Sequence, residues 1–287
     1  DPGDVAEKAF MKAIYGDHPY AHAVEGTTES VNQLTASDLK AFHEKTYTVR
    51  NATLAIVGAL TREEAEKLAD SLFQELPEGA ALDPIQNPVP KAEASTLRQS
   101  FPSAQTHVLA GVLGLEVNDP DLFPLHVGNH ILGGSGLVSK IMEEVREKRG
   151  FAYSAYSYFI PMRVKGPFEV GLQSQNAKAG EALEVAVRTL RDFIDKGPSD
   201  AELDAAKKNI IGGFVLRLDS NQKLVSEIAN IGFFKRPLDY LDTYTQRVQA
   251  VTRDEVKRAF KARINPDQLQ TVLVGGLSGG RGLKAKS

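Results

Sequence analysis

The sequence predicts an α+β protein of two homologous domains, each an antiparallel-dominated sheet with helices packed on one face, the first domain truncated. Three observations predict it. Residues 34–58, LTASDLKAFHEKTYTVRNATLAIVG, align without a gap with residues 251–275, VTRDEVKRAFKARINPDQLQTVLVG, so the chain carries an internal repeat. The second copy is preceded by a long front half of strands and then helices, whereas the first has almost none. Between them lies PEGAALDPIQNPVPKAEA, rich in Pro and Ala and without periodicity, which reads as a linker. The expected organisation is therefore 1–76 as the C-terminal part of a first domain, 77–96 as linker and 97–280 as a complete second domain.

The elements follow in order. Val5, Ala9, Phe10 and Ile14 have helical spacing directly after Asp1-Pro2, an abrupt opening that suggests a missing upstream segment. In the repeat, Thr35 and Thr252 each stand three residues before an acid, Asp38 and Glu255, as a capping box requires. An amphipathic helix and a turn then lead to a strand, 52–57 in one copy and 270–274 in the other. Thr61 and Glu64 open a further helix through Leu72. In the second domain, 105–114 reads as a buried strand, 121–132 as a helix, Gly133 to Gly136 as a loop and 137–148 as a helix. Residues 151–161 form a Tyr-rich strand with a hairpin partner at 166–174, and helices fill 180–262.

Composition narrows the function classes. A formal net charge of −3 leaves no electrostatic footprint for nucleic acid or an anionic membrane. No apolar run approaches the roughly 20 residues of a membrane span. The absence of cysteine removes disulfides and thiolate metal sites, and fits cytoplasm and periplasm equally. No signal peptide is visible.

Two of the histidine pairs have i, i+4 spacing. His18 and His22 flank Pro19, where a helix is starting or over, and read as a polar helix exit. His126 and His130 lie in a predicted helix, but Asn129 stands where an H-x-x-E-H site carries its glutamate base. An amide cannot take a proton from metal-bound water, and the downstream stretch AAKKNIIGG offers no third ligand, so no metal is expected on this chain. The glycine loop reads as a turn between helices, since no strand-to-helix phosphate loop or GK[ST] accompanies it.

The sharpest signal is VREKRGFAYSAYSYF. Arg146 ends a helix and Tyr153, seven residues on, lies in the next strand. A guanidinium fork suits carbonyl or carboxylate groups, and a phenol can donate to a developing oxyanion. An arginine capping a helix and a tyrosine in a sheet are also ordinary structural residues, and the residues alone leave both open.

The run ILGGSGLVSKIMEEVREKRGFAYSAYSYF resembles the second homologous domain of pitrilysin/insulinase-type zinc metallopeptidases, and IYGDHPYAHAVEGTTES, residues 14–30, resembles a stretch of their first domain. The resemblance covers nearly the whole chain and implies the mitochondrial-processing-peptidase-like metallohydrolase fold. It places the zinc motif in the first domain upstream of GDHPY, outside this sequence, so that zinc belongs to a missing segment or a partner chain. It implies that Arg146 binds a substrate carbonyl near the scissile bond and that Tyr153 stabilises the tetrahedral oxyanion. The neighbouring Arg149 and Tyr156 are the pair's possible confusions. The implied partners are a peptide substrate and a zinc-motif subunit in a homo- or heterodimer. Exported two-chain bacterial members tilt the compartment towards the periplasm. The competing expectations are a catalytically inactive scaffold or peptide-binding subunit of the same family, and a plain α+β binding domain.

Overall fold

The computed structural model describes residues 1–276, so residues 277–280 of the expected second domain lie outside the described residues. In chain order it contains α1 (Pro2–Tyr15), α2 (Thr28–Gln33), α3 (Ala36–Thr46), α4 (Arg62–Phe73), β1 (Ser95–Ser100), β2 (Gln105–Leu113) and α5 (Leu122–Asn129). Then come α6 (Lys140–Met142), β3 (Ala152–Phe159), β4 (Pro167–Gln175), α7 (Ala179–Lys196), α8 (Asp200–Phe214), α9 (Asn221–Phe233), α10 (Tyr240–Ala250), α11 (Arg253–Arg263) and β5 (Gln270–Gly275). The α+β class stands. The five strands form one sheet in the order β1-β5-β2-β4-β3, with only the β1–β5 pair parallel.

The chain divides into two compact units that do not follow chain order. One comprises residues 1–23, 87–209 and, of the described residues, 247–276; the other comprises 24–86 and 210–246. The first unit holds the sheet. Phe168 and Phe159 project from one face and meet Phe260 of α11, which in turn meets Phe193 of α7. Helix α5 approaches α11 through Gly128, where a Cβ would stand 2.5 Å from the Phe260 ring. Helix α1 covers part of the opposite face. Its Ala6, Phe10 and Ile14 pack on Leu109, Val272 and Val274, and Phe10 lies over Gly111. Burying Phe10 and Ile14 contributes about 1.5–3 kcal/mol each. The Asp1 carboxylate caps α1 by accepting from the Gly3 and Asp4 amides, and Tyr15 donates to the Lys165 carbonyl at 3.0 Å.

The second unit is helical among the described residues. Thr27, Thr35 and Thr61 each close a capping box, with Ser30, Asp38 and Glu64. The start of the linker is stitched down: the Val49 amide donates to the Pro77 carbonyl, and Asn51 bonds the Ala80 carbonyl and the Leu82 amide. In the helical part from 210 to 246, Phe214 stacks on Tyr244 at 4.4 Å, and Arg217 pairs with Glu227 at 2.6 Å.

One expected strand does not form. Residues 52–57 are extended in sequence character but carry no ladder, whereas their repeat counterpart is β5. A strand exists only against a neighbour's backbone, and among the described residues no strand lies beside 52–57. The helix expected over 137–148 begins later, at Lys140, because Gly136 takes a positive φ of 65° and the buried Ser139 turns its hydroxyl onto the Gly136 carbonyl.

Candidate functional site

Arg146 and Tyr153 are brought together by a helix end, a glycine turn and a bulge. Helix α6 continues as a widened π turn over Glu143–Glu147, with the Lys148 amide reaching back to the Glu143 carbonyl at 3.0 Å. Gly150, at φ 61°, ends it, its amide on the Arg146 carbonyl at 2.8 Å and that of Phe151 on the Val145 carbonyl at 3.0 Å. The chain thus reverses directly into β3.

The β3–β4 register slips between Ala152 and Ser154, so Tyr153 is the extra residue of a bulge. Ala155, Ser157 and Phe159 lie opposite Leu172, Val170 and Phe168 on the helix-covered face. Unbroken alternation would send Tyr153 to that face as well. The bulge gives the buried place to Ala152 instead, and Tyr153 is left 76% exposed. Its ring lies under Arg146, whose guanidinium carbon is 5.0 Å from the ring centroid. Glu147 sits 3.6 Å from the Arg146 Nε. The arrangement offers a fixed guanidinium fork and an exposed phenol side by side, a donor set suited to one carbonyl group.

The neighbouring arginine and tyrosine are engaged elsewhere. Arg149 bonds both the Glu144 carbonyl and its carboxylate at 2.7 Å, and Lys148 and Arg149 together hold that carboxyl below its usual range. Tyr156 lies flat over Gly171 on the face shared with α1. Burial, and then the Glu169 carboxylate, push its phenol up to about 12. Glu169 itself is raised to about 7 by burial and by Glu7 of α1. Glu7, His107, Tyr156, Glu169 and Gln173 line a cavity of about 390 Å³. Burial lowers the His107 pKa, and its Nε2 is 3.0 Å from the Gln173 amide.

The H-x-x-N-H segment is structural. The Asn129 amide donates to the Ser157 carbonyl at 2.9 Å, and the Ser157 hydroxyl donates back to Asn129 Oδ1 at 2.6 Å. Gly133 presses on the same residue, since a Cβ there would stand 2.3 Å from the Ser157 amide nitrogen. His130 bonds Asn209, and burial lowers its pKa. His18 accepts from the Tyr20 amide at the start of a 3-10 turn. Among the described residues no three His, Cys, Asp or Glu side chains are grouped to hold a metal. The residue at the glutamate position is committed to Ser157, so this segment does not fit zinc.

The bulge, the Asn129–Ser157 pair and the cavity beside α1 are not visible as motifs. One signal was available: Glu169 interrupts the otherwise apolar opening of PFEVGLQSQ.

The sequence profile for the peptidase M16 inactive domain matches residues 33–210, more than half of the chain. The crystal structure of a peptidase M16 inactive domain from Pseudomonas fluorescens superposes with a TM-score of 0.93 at 36% identity, covering 99% of this chain and 68% of that one. An uncharacterized zinc protease of Streptomyces coelicolor is 29% identical over 90% of this chain and 57% of its own length. A non-peptidase homolog from Helicobacter pylori is 25% identical over 94% of this chain and 62% of its own. The chain thus spans about three fifths of the length of these curated relatives.

Proposed function

The chain belongs to the peptidase M16 family, as an inactive domain, and from that premise we propose that it supplies Arg146 and Tyr153 to a peptide-hydrolysing site completed by a zinc-motif segment or subunit. The carrying observation is the pairing itself: the bulge exposes Tyr153, and the helix end sets Arg146 over its ring at 5.0 Å. We also read 1–76, 77–96 and 97–280 as the end of a first homologous domain, a linker and a second domain. The matched capping boxes at Thr35 and Thr252 support this division.

The chemistry of the chain's own residues follows from their donors. The Arg146 fork binds the carbonyl oxygen of an extended peptide and fixes its register. The Tyr153 hydroxyl donates to the oxygen as it gains charge, a contact stronger in the transition state than in the ground state. The pair serves as donors, and a base to take a proton from water has to come from elsewhere. That step falls to the zinc-bearing part, where zinc would supply the activated water. The partner is a zinc-motif chain in a homo- or heterodimer, and the family's exported two-chain members favour the periplasm. Among the described residues no helix is long and apolar enough to cross a membrane.

A second function, as a catalytically inactive scaffold or peptide-binding subunit, is favoured by Asn129 at the glutamate position and by the relative named as a non-peptidase homolog. Zinc analysis and peptidase assays on the chain alone, and mixed with a zinc-motif homologue from the same source, separate the two. The proposal expects no stoichiometric zinc and no cleavage alone, and cleavage on mixing. Inertness in every combination gives the scaffold function.

A further inference from the structure

At the end of the sheet away from Tyr153, lysines from three separate segments of the chain line one cavity. Tyr153 lies beside the Ala152–Ser174 pairing, where β4 ends, whereas Lys165 just precedes Pro167, where β4 begins. The cavity holds about 230 Å³. Lys91, Lys165, Lys261 and Arg263 line it, together with the apolar Ile14, Val112 and Leu113. The backbone that carries the lysines is pinned. The Gly166 amide donates to the Leu115 carbonyl at 3.0 Å, and the Tyr15 hydroxyl to the Lys165 carbonyl at 3.0 Å. Lys91 precedes a stretch tied down by Gln268 and Gln270, whose amides donate to the Ala92 and Glu93 carbonyls at 3.1 and 2.7 Å. Lys261 stands in the last turn of α11.

The charges of these lysines are unspent. Elsewhere on the protein lysines hold carboxylates, as Lys12 holds Asp17, Lys140 holds Glu202 and Lys196 holds Asp192. Among the described residues Lys91, Lys165 and Lys261 hold none, and no carboxylate lines the cavity. Asp17, which feels Lys91, is taken by Lys12 at 3.0 Å. The Arg263 fork is committed to Asp119 and Asp121 at 2.8 and 3.0 Å. Like charges gathered without counter-ions repel one another, and a cleft lined by one sign of charge concentrates ions of the other.

We infer that this cavity binds a small ligand through a phosphate or pyrophosphate group. Ammonium groups act as point charges and suit a tetrahedral oxyanion approached from several segments. A planar carboxylate is matched by a guanidinium fork, and the Arg263 fork is occupied. The inference does not rest on the proposed function, and its test reads binding rather than hydrolysis.

The probe is inorganic pyrophosphate, titrated by calorimetry into the chain at low salt, with citrate as a polyanion of comparable charge. Pyrophosphate is expected to bind at a single site. Lys165→Ala and Lys261→Ala are each expected to weaken it on the order of tenfold, the loss of one charged hydrogen bond. Lys257→Ala, on α11 but outside the cavity, is expected to leave binding unchanged. Lys261 is exposed, so its variant keeps the fold whatever Lys165→Ala does. Absence of pyrophosphate binding overturns the site. Binding that Lys261→Ala leaves at full strength overturns the lysines as its source. Citrate bound as tightly as pyrophosphate overturns the phosphoryl assignment.

Discussion

Asn129 and Ser157 hold each other through two hydrogen bonds, amide to carbonyl at 2.9 Å and hydroxyl to amide oxygen at 2.6 Å. Both residues are buried, so a partner left behind has no water to turn to. Asn129→Ala and Ser157→Ala are each expected to cost about 1–3 kcal/mol in denaturant titrations. A double variant is expected to cost less than the sum.

The same pair explains why a single change does not rebuild a metal site. Asn129→Glu places a carboxylate against the Ser157 carbonyl and supplies no third ligand. The variant is expected to be destabilised and to bind no stoichiometric zinc by elemental analysis. Tight zinc binding by that variant contradicts this.

Gly150 links the arginine to the strand that bears the tyrosine. Its φ is 61° and a Cβ would meet nothing within 4 Å, so Gly150→Ala is a test of backbone strain alone. It is expected to cost about 1–2 kcal/mol, and Gly150→Asn less, because asparagine tolerates the left-handed region.

Glu169 predicts a pH dependence of stability. Its folded pKa of about 7 lies above the ordinary 4.5, so the folded state binds the proton more tightly than the unfolded chain. The resulting stabilisation is full below about pH 4.5 and declines as pH rises through 7, over a range of about 3 kcal/mol. Glu169→Gln is expected to flatten that decline in unfolding measurements between pH 5 and pH 8. An unchanged slope rules out Glu169 as its source.

The legible parts of the fold were those written in local chemistry. The Thr35 and Thr252 boxes, the helical face of Phe10 and Ile14, and the strand pair around Tyr153 and Phe168 all follow from spacing within a few residues. The Arg146–Tyr153 pair was legible as residues, but not as a contact. Its geometry depends on a one-residue register slip against β4, which arises in strand pairing and leaves no mark on the spacing. Residues 52–57 stay out of the sheet for a related reason: their composition matches β5, but a strand needs a neighbour that the local sequence does not name. Nor could spacing show that Asn129, besides lacking a carboxylate, would be bound to a serine 28 positions away.

The most direct test of the central claim is kcat and KM for peptide hydrolysis by this chain combined with a zinc-motif homologue, with Tyr153 and with Tyr153→Phe. The phenylalanine keeps the ring beneath Arg146 and removes only the hydroxyl. The account predicts a loss of about 10²–10³ in kcat, with KM and stability nearly unchanged, as for deletion of one oxyanion donor. Full kcat in the Tyr153→Phe combination would contradict the assignment.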